Sequence, residues 1–342
     1  MMKGCYVIGV FPPPYGGVTI KSKLFCDLLK KHLIPTKQLD VYEMSRKKGK
    51  IITVLTECIA AFLSDKAIVY CIDSKRLRAL MLLQDLFKSS FERTTVLAVG
   101  GVFHKTVSMH KAFGEKLKKV KGIWVETEGM KTKLEQMGFS NIEVFPNPKS
   151  EVGCCDAKPS ESSQPLRLVF FSQIGKEKGV EDIIELVHLL DENKMIFYRL
   201  DFYGHVVPDF KEKFDEFVQQ SPNVYYCGVF DSTKTSVYQK LNEYDLLMFP
   251  THWYAEGVPG ILVESKMAGL AVIVSDRSYN SEIVQIDKNE GFLLKENYPQ
   301  EMFEIIKRCA DDRKMLNLIK ERSYQSRKRY AVEEYEDMLW KL

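Results

Sequence analysis

The sequence predicts an α/β protein of two doubly wound domains, each built on a parallel sheet. Three observations carry that expectation. Buried-strand runs alternate with helix-period segments along the chain, the pattern of βαβ units. A Ser-, Pro- and Gly-rich stretch around 146–165 interrupts the alternation near its middle. At 342 residues the chain is long for one core and comfortable for two. Doubly wound sheets bind ligands beyond the carboxyl ends of their strands. Two facing domains are therefore expected to enclose a ligand cleft.

The elements follow in order. Strands are expected at Tyr6–Val10, Thr36–Val41, Ala67–Ile72, Thr95–Val99 and Ile123–Glu126, with helices such as Lys21–His32 and Lys75–Phe87 between them. The opening run lacks the long apolar segment and small-residue cleavage site of a signal peptide, so it reads as the first strand. The second series has strands at Leu168–Phe171, Tyr198–Tyr203, Val224–Cys227, Leu246–Phe249 and Val272–Val274. Helices are expected at Val180–Leu190, Asp209–Gln219, Thr233–Leu241, Ile261–Ala268 and Gln300–Ala310. The tail Lys320–Leu342 reads as helical, with Tyr330, Tyr335, Met338 and Leu339 as its packing face.

Composition narrows the class. Hydrophobic residues make up 45% and charged residues 28%, ordinary for a globular protein. No apolar run approaches the roughly 18–20 residues of a membrane span. The eight cysteines form no Cys-x-x-Cys and no Cys/His zinc spacing, so core thiols in a reducing cytoplasm are expected. Net charge is +3, but residues 1–150 hold 25 Lys+Arg against 13 Asp+Glu (+12), and the remainder holds 24 against 33 (−9). A basic first half suits an anionic membrane surface, hence a peripheral site at the inner face, or a phosphorylated acceptor. Its focus is Lys116, Lys118, Lys119 and Lys121, with Arg46, Lys47, Lys48 and Lys50; a solvated helix face is the plainer alternative. No basic–aromatic platform suggests nucleic acid.

The densest chemistry lies between Tyr254 and Asp276. Glu256 and Glu264 stand eight positions apart across a Gly/Pro turn that opens an apolar helix. One carboxylate falls in the loop at the helix N-terminus and the other about a turn inside. A helix N-terminus favours anions, and a carboxylate accepts hydrogen bonds from hydroxyls. Together they suit a ligand carrying both phosphate and sugar hydroxyls, a nucleotide sugar.

These residues resemble the retaining glycosyltransferases of family 4, which have the GT-B fold. The resemblance rests on Glu256-x7-Glu264, on Phe249-Pro250 before it, and on Gly257, Pro259, Gly269, Val272, Ile273 and Asp276 around it. Ser281–Val284, Gly291–Leu293, Glu177-Lys178-Gly179, Asn147 between two prolines, and Gly16-Gly17 add to it. It implies an acceptor-side domain over 1–155 and a nucleotide-sugar domain over 165–325, with a C-terminal helix at about 325–342 packing back on the first. It also implies transfer, with retained configuration, from a UDP- or GDP-sugar to a saccharide or lipid-linked hydroxyl, in polysaccharide, lipopolysaccharide or glycolipid assembly. No Asp-x-Asp occurs, which fits the metal-independent chemistry so implied.

Roles follow from the resemblance. Glu264 would bind the donor ribose and Glu256 the transferred sugar. Lys178 would neutralise the departing diphosphate. Gly257, Val258, Gly260 and Ile261 would bring backbone N–H groups to the sugar or phosphate, and Gly16 and Gly17 would let the chain approach the diphosphate closely. Gln173 stands where relatives carry an arginine; Arg167 and Lys176 are candidates to replace its charge. Many relatives have a histidine just after the strand Thr95–Val99. Here that slot is Val99 or Gly100, and His104 follows a few residues later as the candidate catalytic histidine. Thr127-Glu128, His252 and Trp253 are further candidates near the site. Two other readings are weighed: a dinucleotide oxidoreductase, for which Gly-x-Gly-x-x-Gly is missing and three prolines occupy the turn, and a catalytically inactive scaffold that binds a partner.

Overall fold

A computed structural model describes all residues except 1–2, 14–15, 43–49, 152–164, 196 and 233. Pro14, Arg46, Lys47, Lys48, Cys154, Cys155, Thr233 and most of the expected linker therefore lie outside the described residues. The chain forms two compact units, Met1–Lys149 with Val332–Leu342, and Ser150–Ala331.

The first unit carries a parallel sheet of order β2-β1-β3-β4-β5-β6. Its strands are β1 (Cys5–Gly9), β2 (Thr36–Asp40), β3 (Ala67–Cys71), β4 (Thr94–Leu97), β5 (Gly122–Val125) and β6 (Ile142–Val144). Strands β3, β4 and β5 are buried at every position, as a sheet covered on both faces requires. The helix Gly17–Lys31 lays Phe25, Cys26, Leu28 and Leu29 on this sheet. Phe25 packs edge-on against Trp124 and Phe145, each with ring centroids 6.1 Å away.

The second unit carries β7 (Leu166–Phe171), β8 (Tyr198–Tyr203), β9 (Val224–Tyr226), β10 (Leu246–Phe249), β11 (Ala271–Ser275) and β12 (Phe292–Leu294). Their order is β12-β11-β10-β7-β8-β9, all parallel. Successive side chains on a strand point to opposite faces, and the core divides accordingly. Leu168, Phe170, Leu246 and Met248 join one cluster with the helix Val180–Glu192. Val169, Leu247 and Phe249 join the other with the helix Gly260–Ala268. The strand order reverses between β7 and β10, so the carboxyl ends of these two strands form the topological switch point where doubly wound sheets bind ligands.

The tail differs from expectation. The helix Arg313–Gln325 ends, a 3-10 turn covers Ser326–Tyr330, Ala331 is extended, and a second 3-10 helix runs over Val332–Lys341. Tyr330 joins the second unit's core, whereas Val332, Met338 and Leu339 join the first's. The extended Ala331 breaks what the apolar spacing suggested was one helix. Thr233–Leu241 also shrinks to Val237–Asn242, started by Ser236, whose hydroxyl accepts from Tyr238 N. Cys5, Cys26, Cys58, Cys71 and Cys309 are buried thiols, and Cys227 is exposed. Burial pushes the Cys26 and Cys58 thiols up to about 12, so neither is a reactive thiolate.

At the amino edge of the second sheet, Asp245 is wholly buried and accepts from Arg167 N at 2.9 Å and from Lys320 Nζ at 3.4 Å. Lys320 is itself 1% exposed. Lys320→Met leaves a buried carboxylate short of a cation, and is expected to destabilise the second unit by about 3–5 kcal/mol. Urea unfolding checks this; an unchanged midpoint would show that the pair adds nothing.

Candidate functional site

The loops that leave β7 and β10 at the switch point pack on each other. After β7, exposed Gln173 leads into a 3-10 turn, Lys176–Lys178, closed by Gly179. Gly179 has φ +77°, and a Cβ there would sit 2.0 Å from the Pro250 carbonyl oxygen. Only glycine admits that approach. The Glu177 carbonyl accepts from His252 N at 2.9 Å and from the Thr251 hydroxyl at 3.3 Å. Lys178 is thereby held above the Phe249 ring, 5.7 Å from its centroid, and its ammonium donates to Glu256 Oε1. The Thr251 hydroxyl approaches the same oxygen at 3.5 Å. Lys178 and Glu256 are 18% and 14% exposed, so the pair is shielded but reachable.

Glu256 precedes the helix Gly260–Ala268. Pro259 caps it without a side-chain hydrogen bond, and no acidic residue stands in its first turn. The N–H groups of Gly260 and Ile261 have no intrahelical carbonyl to meet, and the positive end of the helix is left unneutralised. By contrast, the helix Val180–Glu192 carries Glu181 and Asp182 in its first turn. Gly257 and Val258 are buried in the turn, and Glu264 lies half-buried one turn into the helix. Gly269, at φ +66°, ends it. The structure thus gathers Lys178, Glu256, the Gly257–Ile261 turn, Glu264 and Gln173 on two adjacent loops and one helix.

His252 and Trp253 take other partners. His252 Nε2 lies 2.7 Å from Asp182 Oδ2, and its ring stacks on Tyr298 at 5.0 Å. Trp253 is half-buried against Tyr254, 5.2 Å away. Arg167 opens β7 beside Asp245, six residues before Gln173, or roughly 20 Å at the rise of a strand. It does not replace the missing arginine. Lys176 is exposed and pairs with Glu181 at 3.4 Å.

In the first unit, Gly16 caps the helix Gly17–Lys31, whose first turn also lacks an acidic residue. Thr19 closes the cap, accepting from Gly16 N at 2.9 Å. A Cβ on Gly16 or Gly17 would meet nothing within 4 Å, so both present bare backbone to open space. His104 stands in the helix Phe103–Met109 rather than in a loop, half-buried. Thr127 caps the helix Glu128–Glu135, accepting from Met130 N. Sequence reasoning missed Lys21 and Glu126, both almost wholly buried. Lys21 Nζ donates to Glu126 Oε1 at 2.9 Å and to the Ala98 carbonyl at 3.2 Å, tying the Gly16–Gly17 helix to the segments after β4 and β5. An apolar-strand ending in Glu126 was the available signal. Among the described residues, no group of three or more His, Cys, Asp or Glu is placed to hold a metal ion.

Comparison with known proteins bears on family and fold. The family model described as glycosyl transferases group 1 matches residues 156–326, half of the chain. Among curated proteins no sequence matches significantly. Among solved structures, Anabaena HepE in complex with UDP and glucose is similar with a TM-score of 0.72 and 14% identity, over 98% of both chains. Sucrose-phosphate synthase from Thermosynechococcus elongatus is similar with a TM-score of 0.71 and 12% identity, over 98% of this chain and 97% of that one. S. aureus TarM, solved with UDP, is similar with a TM-score of 0.60 and 15% identity over 79% of this chain, which spans 54% of TarM. At these identities the likeness concerns fold, and the fold is GT-B.

Burial, with Lys133 and Lys105 nearby, holds the His104 imidazole below its ordinary 6.5, against a hydrogen bond to the Gly101 backbone. The unfolded chain therefore takes up this proton first, and the group withdraws stability as pH falls through 6.5. An NMR titration is expected to place the His104 midpoint below 6.5. A midpoint at or above 6.5 would contradict the geometry.

Proposed function

This chain belongs to the glycosyl transferases group 1 family, and from that premise we propose that it transfers a sugar from a nucleoside-diphosphate sugar to a hydroxyl acceptor with retained configuration. The observation that carries the reading is the Lys178–Glu256 pair at the switch point, beside an unneutralised helix N-terminus. In the proposed reaction the bond from the anomeric carbon to the phosphate oxygen breaks, and a bond to the acceptor oxygen forms on the same face. The acceptor proton passes to the departing phosphate oxygen. Negative charge grows on the diphosphate, where Lys178 and the first-turn N–H groups of the helix Gly260–Ala268 stabilise it. Glu256 holds hydroxyls of the transferred sugar and Glu264 those of the ribose. Gly16 and Gly17 bring bare backbone to the diphosphate, and His104, neutral at pH 7, serves the acceptor side.

UDP is the favoured donor base, because HepE was solved with UDP-glucose and the pneumococcal transferase GtfA with UDP and GlcNAc. A saccharide or lipid-linked acceptor, as in polysaccharide or glycolipid assembly, fits the basic first half. No metal step is part of the proposal, since Lys178 and backbone dipoles meet the diphosphate charge.

A donor-hydrolysis and transfer screen across UDP-, GDP- and ADP-sugars tests the reading. Turnover is expected with a UDP-sugar. Lys178→Ala is expected to lower kcat/KM by about 10²-fold or more, and Glu264→Ala to act mainly by raising the donor KM. Wild-type kinetics in both variants would sink the site assignment, and no turnover or binding with any sugar would favour the inactive scaffold.

A further inference from the structure

The lysine run 116–121 is partly paired. Lys116 pairs with Asp85 at 2.6 Å, Lys118 with Glu115 at 2.9 Å, and Lys121 Nζ donates to the Leu342 carbonyl. Lys116 also lines, with Lys75, Arg78 and Lys111, a groove of about 500 Å³ between the helices Ser74–Gln84 and Lys111–Leu117. Lys75, Arg78, Ala79 and Leu82 face it at positions i, i+3, i+4 and i+7, one stripe of a helix. Lys111 and Ala112 face it from the other wall, and buried Phe113 lies at its base. Among the described residues, no Asp or Glu lines the groove itself, and the carboxylate next to it is Asp85, which pairs with Lys116. Among the described residues, Lys75, Arg78 and Lys111 have no ion pair.

Large apolar side chains are exposed in the groove and beside its lining residues in sequence. Leu82 is 66% exposed, Leu86 follows it by one turn at 76%, and Met109 beside the groove is 69% exposed. Leu82 among these cations, with Leu86 and Met109 next to lining segments in sequence, leaves apolar area in water. A soluble anion would meet the cations and leave the leucines wet. A bilayer meets both, with anionic headgroups at Lys75, Arg78 and Lys111 and apolar side chains entering the headgroup boundary.

We propose that this groove is a docking surface for an anionic bilayer, with an acidic phospholipid headgroup seated between Lys75, Arg78 and Lys111. None of these residues belongs to the candidate site, so the inference stands independently of the proposed sugar transfer. The full chain is tested by flotation with vesicles of phosphatidylcholine alone or with about a third phosphatidylglycerol. Binding is expected with the anionic vesicles, falling as salt is raised. Lys75→Gln with Arg78→Gln is expected to lower the partition coefficient about thirty-fold, and Leu82→Ser to lower it further. Lys3→Gln with Lys37→Gln removes the same charge from exposed positions before β1 and in β2. An equal loss in that pair would mean net charge alone acts, overturning the groove. Equal binding to neutral vesicles, or none to anionic ones, would also overturn it. So would binding that soluble glycerol phosphate abolishes and Leu82→Ser leaves unchanged, since the groove would then be a soluble-anion site.

Discussion

The contact between the loops after β7 and β10 organises the candidate site. Gly179 beneath the Pro250 carbonyl and the Glu177 carbonyl at the His252 N–H fix one loop on the other. That docking brings Lys178 to Glu256, 78 residues away in sequence. The pair's importance is placement rather than stability. Two partly shielded charges lose about as much solvation as they regain in attraction. The pairing keeps a flexible ammonium from wandering and holds it beside a helix end that repels other cations. The contact exists because β7 and β10 are neighbours, which follows from the reversal of strand order between them.

Helix ends show how the same fold accepts or refuses an anion. The helices Gly17–Lys31 and Gly260–Ala268 start on Gly16 and Pro259 with no acid in the first turn. The helix Val180–Glu192 neutralises its own start with Glu181 and Asp182, and Asp182 also engages His252. Other helices, such as Ile51–Leu63 and Lys111–Leu117, also lack a first-turn acid, but these two carry the glycines singled out in the sequence. In the proposed reading the start of Gly260–Ala268 is a backbone contribution to the diphosphate, complementing the single ammonium of Lys178.

Much of this was legible in the sequence, and for identifiable reasons. Long buried strands such as Ala67–Cys71 and Tyr198–Tyr203 declare themselves through unbroken or alternating apolar runs, and Glu256 and Glu264 lie on one local segment with a fixed helical relation. Three-residue strands such as Ile142–Val144 and Phe292–Leu294 are too short to show a period. The helix Ile51–Leu63 was hidden by its composition: Ile52 and Leu63 are exposed, so it lacks the polar face that marks a surface helix. The tail misled because one apolar spacing serves two cores, divided at Ala331. The Lys21–Glu126 pair spans 105 positions and leaves no local pattern. The unpaired state of Lys75, Arg78 and Lys111 emerges only when the partners of Lys116 and Lys118 are seen.

The central claim is that Lys178 is the diphosphate cation and that Glu256 holds it in place until the donor arrives. Calorimetric titration of UDP into the intact chain tests this most directly. Glu256→Gln releases the ammonium from its intramolecular partner and removes a negative charge near the phosphates. It is expected to tighten UDP binding by about three- to tenfold, on the order of 1 kcal/mol, while Lys178→Met weakens it. Unchanged or weaker UDP binding in Glu256→Gln would contradict the account.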